Sequence, residues 1–207
     1  MTEIDTVSNL AEVQTKIATA AQEADRPSGQ VDLIVVSKTW PAEAIRPLLQ
    51  AGHRIFGENR VQETQKKWPQ LKADYPETRL HLIGLLQSNK AQEAAELFDV
   101  IETLDREKLA KVFANLREGG ASLPDFLVQV NTGEEGQKGG VAPKEAVQFA
   151  RWCRDDLALP VRGMMAIPPA EEPPAPHFAL LYELVRQADL PDVSMGMSGD
   201  YEIAVQL

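Results

Sequence analysis

One cysteine, Cys153, is all that this 207-residue chain carries. An internal disulfide is therefore excluded, and no Cys/His pair has zinc-site spacing. Basic residues are also short: 21 Lys and Arg stand against 31 Asp and Glu, a net charge of −10. A general nucleic-acid binder displaces counterions with a basic face, and this balance argues against one. No apolar run approaches the ~20 residues that a membrane-spanning helix needs. The opening MTEIDTVSNL is acidic and polar, with no basic stretch leading into an apolar one, so it is not a secretory signal. The cytoplasm is the default compartment.

Several motifs are missing as well. No G-x-G-x-x-G follows a strand-like run, and the glycine-rich stretch from Gly133 to Gly140 lacks the phosphate-loop spacing G-x-x-x-x-G-K-[ST]. The run GMSGD resembles a nucleophile elbow, but Asp200 stands where that motif requires glycine. His53, His81 and His177 lie far apart, in different units, and His81 within LHLIG reads as a satisfied core histidine. Met164, Met165, Met195 and Met197 flank strand ends and read first as packing residues.

What is present is a rhythm. With 43% hydrophobic and 25% charged residues the chain is an ordinary globular one, of a length that suits a single domain. Leu10, Val13, Ile17 and Ala20 recur at helical spacing, with Ser8 or Thr6 placed to cap that helix. Then VDLIVVS at 31–37 reads as a strand buried on both faces, rich in β-branched residues. Strands are expected again at 54–57, 79–84, 100–104, 125–131, 161–167 and 192–198. Helices are expected at 41–51, 61–71, 89–98, 106–118, 143–154 and 178–188, with another starting at 200; EEPPAPH reads as a loop. Strands that alternate with helices imply a parallel sheet, because parallel neighbours need a crossover. Seven such units without a break suggest an α/β fold of the TIM (β/α)8 type, led by one helix and forming a single domain over 1–207; an open doubly wound sheet is the runner-up.

In such a barrel the functional face lies at the carboxyl ends of the strands. Lys38 stands at the end of the first, and its amine is expected inside the barrel mouth. A desolvated, neutral amine can attack an aldehyde and form a Schiff base. A solvated lysine at a strand end accounts for the same residues. Ser198-Gly199 follows the seventh strand and opens a helix, where backbone N–H groups favour an anion; a plain N-cap is the alternative.

The chain resembles the pyridoxal 5′-phosphate (PLP) homeostasis proteins, which share the barrel of the alanine racemase N-terminal domain. The segments that carry the resemblance are VVSKT around Lys38, FGENRVQE (56–63), HLIGLLQSNK (81–90), LVQVNTGEEGQKGG (127–140), RGMMAIPP (162–169) and SMGMSGD (194–200). The resemblance implies that Lys38 forms an internal aldimine with PLP, and that Asn59 lies near the cofactor ring. It implies that Ser198 and Gly199 hold the phosphate, with Met195 or Met197 near ring or phosphate. Lys138 matches a loop lysine linked to cofactor transfer, and Arg60 stands where the family often has tyrosine. The family continues with an eighth strand bearing an Arg-x-Gly-Thr-like motif that completes the site. This chain stops at Leu207, so the eighth strand is expected to be missing and the first and seventh strands to lack a partner between them. A final strand, loop and helix would need roughly 20 more residues.

The function expected is binding and delivery of PLP within the cell, with apo PLP-dependent enzymes as recipients, no nucleic acid, no membrane, no catalytic residue and a monomeric state. Two alternatives fit the residues: a PLP-dependent racemase-like enzyme, or a barrel that uses Lys38 as an aldolase-like Schiff-base lysine.

Overall fold

The computed structural model describes residues 5–27 and 29–207. Seven strands form one parallel sheet in chain order, β1 (Val35–Val36), β2 (Ile55–Glu58), β3 (Arg79–Leu82), β4 (Val100–Leu104), β5 (Asp125–Gln129), β6 (Val161–Met165) and β7 (Asp192–Ser194). The helices between them are α2 (Ala42–Gln50), α3 (Val61–Asp74), α4 (Ala91–Leu97), α5 (Glu107–Glu118), α6 (Pro143–Arg151) and α7 (Pro174–Gln187). A leading α1 (Thr6–Glu23) and a trailing α8 (Tyr201–Gln206) complete the helical layer. α8 packs on both α7 and α1, and α1 also reaches α2. The Arg26 Nε donates to the Val205 carbonyl at 3.0 Å, and Gln206 donates to Glu23 at 2.9 Å. The helices therefore meet around the outside, while β1 and β7, each with one paired neighbour, are the sheet's two edges.

Alternation of side chains along each strand sorts the core into two layers. Phe56, Leu80, Leu82, Ile101, Phe126, Val128 and Met164 pack outward against the helices, where Trp68, Phe113 and Leu181 meet them. Val100, Leu127 and Met165 form a separate cluster on the inner side. Beside it lie polar groups: Glu102 accepts from the Ser194 hydroxyl at 2.6 Å and sits 2.6 Å from His81 Nδ1. That contact ties β7 to β4 and β3 across the inside of the sheet.

Four local expectations are corrected. The first strand is not the buried run 31–37: only Val35 and Val36 pair, and Val36 is exposed. Its apolar residues suit a strand with two neighbours, and here only β2 is present to pair with it. The cap of α1 is Asp5, whose carboxylate accepts from the Ser8 N–H at 2.9 Å, rather than Ser8 or Thr6. α7 begins inside the proline run, at Pro174. Its first-turn residues need no N–H, so proline is tolerated there. The seventh strand ends at Ser194, and residues 195–200 turn away from the sheet.

Candidate functional site

Because all strands are parallel, their carboxyl ends share one face. Lys38 lies in a turn directly after β1, Asn59 directly after β2, and Met195 to Gly199 directly after β7. The two sheet edges thus carry the lysine and the serine-glycine turn, and α1 and α8, which flank those edges, pack together outside them.

The loop that bears Lys38 is held from beneath. Ser37 is buried, and its hydroxyl donates to Glu58 Oε1 at 2.6 Å. Glu58 is fully buried; the same oxygen accepts from the Trp68 indole N–H at 2.9 Å and forms an ion pair with Lys67, whose Nζ lies 2.7 Å away. Lys67 Nζ also donates to the Ser37 carbonyl at 2.8 Å, the Trp40 carbonyl at 3.1 Å and Glu63 at 3.1 Å. Glu63 in turn accepts from the Thr39 N–H at 2.6 Å. Burial pushes the Glu63 carboxyl up, but the Thr39 N–H, Lys67 and Arg60 outweigh it, so it sits below the ordinary carboxylate range. None of this was legible beforehand. Lys66 and Lys67 are equivalent letters on a polar helix, and the one available signal was the i, i+4 spacing of Glu63 and Lys67.

Lys38 itself is exposed, so the expectation of an amine shielded inside the mouth is corrected. β1, as an edge strand, has a wall on one side only. Among the described residues the Lys38 amine has neither an ion-pair nor a hydrogen-bond partner. The other lysines of the motif segments differ: Lys90 pairs with Glu93 at 2.9 Å, and Lys138 with Glu135 at 2.5 Å.

Asn59 is half-buried, and its side-chain amide makes no hydrogen bond among the described residues. Its backbone is pressed against Gly84: a Cβ at Gly84 would stand 2.3 Å from the Asn59 carbonyl oxygen. Met195 is half-buried against the main core, whereas Met197, Ser198 and Gly199 are exposed. Gly196, at a φ of +90°, redirects the chain out of β7 in the left-handed region that favours glycine. The turn is then fixed by the Met197 N–H donating to Asp200 at 2.5 Å, and by the Asp200 and Tyr201 N–H groups donating to the Met197 carbonyl. Asp200 is the N-cap of α8, so Ser198 is not the cap. The Ser198 and Gly199 N–H groups make no hydrogen bond among the described residues.

His81 is satisfied at Nδ1 by Glu102, while its Nε2 is buried without a partner among the described residues, so the core reading holds for one nitrogen only. Burial pushes the Cys153 thiol up to about 12, which makes it inert at neutral pH. Two cavities of about 830 and 860 Å3 lie on the opposite face, at the amino ends of the strands, and none of the predicted site residues lines them. No helix among the described residues is long and apolar enough to cross a membrane.

Comparison with known proteins places the chain. The model of the family described as "Alanine racemase, N-terminal domain" matches residues 8–204. The pyridoxal phosphate homeostasis protein of Pseudomonas aeruginosa is 41% identical over 202 residues, covering 95% of this chain and 87% of its own. That of Pasteurella multocida is 38% identical over 209 residues, covering 96% and 89%. Among solved structures, PipY of Synechococcus elongatus with PLP bound superposes with a TM-score of 0.69 at 36% identity, over 91% of this chain and 92% of PipY. An alanine racemase of Clostridium difficile shares the fold at a TM-score of 0.68 and 12% identity, with 93% of this chain matching 50% of the racemase.

Proposed function

This chain belongs to the family of pyridoxal phosphate homeostasis proteins, which is built on the alanine racemase N-terminal domain, and from that membership we propose that it binds PLP at the carboxyl-end face. The observation that carries the reading is the pairing of an unpartnered lysine with unpartnered anion donors. Among the described residues Lys38 has no counter-ion, and the Ser198 and Gly199 N–H groups have no acceptor.

The residues present fit the cofactor. Its phosphate needs N–H and O–H donors, which Ser198 and Gly199 supply, and nothing stands within 4 Å of where a Gly199 side chain would be. Asn59, at the end of the strand paired with the one that leads to Lys38, offers an amide that makes no hydrogen bond among the described residues, and Met195 an apolar flank. PLP supplies an aldehyde that takes up a primary amine. Lys38 is the amine for that bond, because attachment at Lys90 or Lys138 would first break an ion pair.

We read the protein as a cytoplasmic, monomeric carrier that passes the cofactor to apo PLP-dependent enzymes, and not as an enzyme itself. Racemisation needs an acid/base group on each face of a bound amino acid. Tyr75, at the end of α3, lies under the Arg54 guanidinium; Tyr182 and Tyr201 belong to α7 and α8. All three lie in helices or at their ends, and no motif of the chain places one of them opposite Lys38. The names of the relatives support the same reading.

The test is borohydride reduction of the PLP-loaded protein followed by peptide mapping. A pyridoxyl group is expected on the peptide containing Lys38, and Lys38→Ala is expected to abolish it. A label on Lys90 or Lys138 refutes the assignment. Efficient turnover of either alanine enantiomer by the purified protein refutes the carrier reading.

A further inference from the structure

The four residues 37–40 are held very unequally. Ser37 is fixed through its hydroxyl to Glu58, its N–H to the Gly57 carbonyl, and its own carbonyl to Lys67. Thr39 is fixed through its N–H to Glu63, and Trp40 through its carbonyl to Lys67 and its N–H to Ser37. Of the four, Lys38 alone has no hydrogen bond or ion pair among the described residues. Thr39 is also left-handed, at a φ of +67°, a conformation that β-branched residues rarely take. Such a residue persists only when its surroundings over-determine it.

The group that over-determines it is one cation. Lys67 is 8% exposed and gathers two backbone carbonyls and two carboxylates, and Glu58 is 0% exposed. A surface lysine that merely solvates a helix would not be drawn under a loop in this way. We propose that Lys67 is a positioning residue for Lys38: it clamps the backbone on both sides of that lysine, so that its side chain is presented to the site from a fixed stretch of chain. The proposal rests on the reading of Lys38 as the cofactor lysine.

Two variants test it. Lys67→Met alone would leave the buried Glu58 carboxylate without its counter-charge, so the clamp is removed as the pair Glu58→Gln with Lys67→Met. Glu63→Ala, at a half-buried position, releases the Thr39 N–H and one partner of Lys67, and keeps the Glu58–Lys67 pair. The first measurement is amide exchange without cofactor. Exchange at Thr39 and Trp40 is expected to rise about tenfold or more in the double variant, with β4 and β5 unchanged. Glu63→Ala is expected to raise it at Thr39 alone. The second measurement is PLP affinity, with borohydride labelling of Lys38. Both are expected to fall about tenfold in the double variant, and less in Glu63→Ala.

Unchanged exchange at Thr39 and Trp40 in both variants overturns the clamp. Faster exchange with unaltered PLP affinity and Lys38 labelling overturns the positioning role, since the loop would be held without consequence for Lys38. Should the double variant fail to fold, Glu63→Ala carries the same two readouts. A wild-type protein that takes the label elsewhere refutes the functional reading, and the positioning role with it; the exchange data would still report the clamp separately.

Discussion

Gly84→Ala places a methyl group in the tightest contact at the predicted site. The added Cβ would meet the Asn59 carbonyl oxygen at 2.3 Å, its Cα at 2.8 Å and its carbonyl carbon at 2.9 Å. All three are backbone atoms, so no flexible side-chain end can move aside. Gly84 cannot easily retreat either. Its carbonyl accepts from the buried Thr103 hydroxyl at 2.9 Å, and the preceding Ile83 N–H donates to the Glu58 carbonyl at 2.9 Å. Forcing atoms into a packed region costs about 1–3 kcal/mol, and loss of the Thr103 bond adds roughly 1 kcal/mol. A total of ~3 kcal/mol in a chain of this size lowers the thermal midpoint by about 6–12 °C. Since the atoms displaced belong to Asn59, PLP affinity should fall in the same variant. The control is Gly136→Ala: nothing lies within 4 Å of its added Cβ, its φ is not left-handed, and its effect should stay within about 0.5 kcal/mol. Thermal unfolding of the three proteins, with and without PLP, decides the matter. A Gly84→Ala midpoint within about 1 °C of wild type would show that the strand ends part without cost and that the steric argument is wrong.

Gly199→Ala asks the opposite question, since no protein atom stands near the added methyl. The thermal midpoint of the apo protein should not move, while PLP affinity should drop about tenfold if phosphate occupies that space; equal affinity would remove Gly199 from the phosphate site. His53 supplies a pH dependence. Burial pushes its pKa below the ordinary value, the Ile55 carbonyl at 2.8 Å partly restores it, and Arg54 lowers it further. The unfolded chain therefore takes a proton near pH 6.5 that the folded chain resists. The stabilisation is complete above that pH and is lost as the pH falls through it toward the lower folded value. Urea midpoints at pH 7.5 and 5.5 should differ more for wild type than for His53→Gln, and an identical difference would show that another group sets the slope.

The alternation of strands and helices was legible because the two periods differ and because proline and glycine punctuate them. The sheet is parallel and in chain order, as that alternation requires. Pairing was not legible at the edges. A run such as residues 31–37 records a preference for burial, and a strand forms only where a neighbour offers hydrogen bonds, which here is Val35 and Val36 against β2. Residue identity likewise failed to rank the lysines. Lys38, Lys67, Lys90 and Lys138 are one letter in the sequence, and they are separated by what surrounds them. Lys90 and Lys138 each face a glutamate three residues away along the chain. Lys67 faces Glu58, nine residues back along the chain, and two carbonyls that only the fold brings near.

That separation carries the functional argument further than exposure does. A lysine that is to bond an aldehyde must first be free of other partners, because each ion pair or hydrogen bond it holds is a cost of reaction. It must also be confined, because a lysine on a mobile loop loses entropy on attachment. These demands conflict in a single residue, since the bonds that confine a side chain also occupy it. Here they fall on different residues. Ser37, Thr39 and Trp40 accept the confinement, Lys67 and Glu63 supply it, and Lys38 keeps its amine unengaged between them. Neither a solvated strand-end lysine nor a purely structural one calls for that division. The arrangement is the one expected if Lys38 is the amine that bonds PLP, as proposed, since such an amine has to be held in place without being engaged.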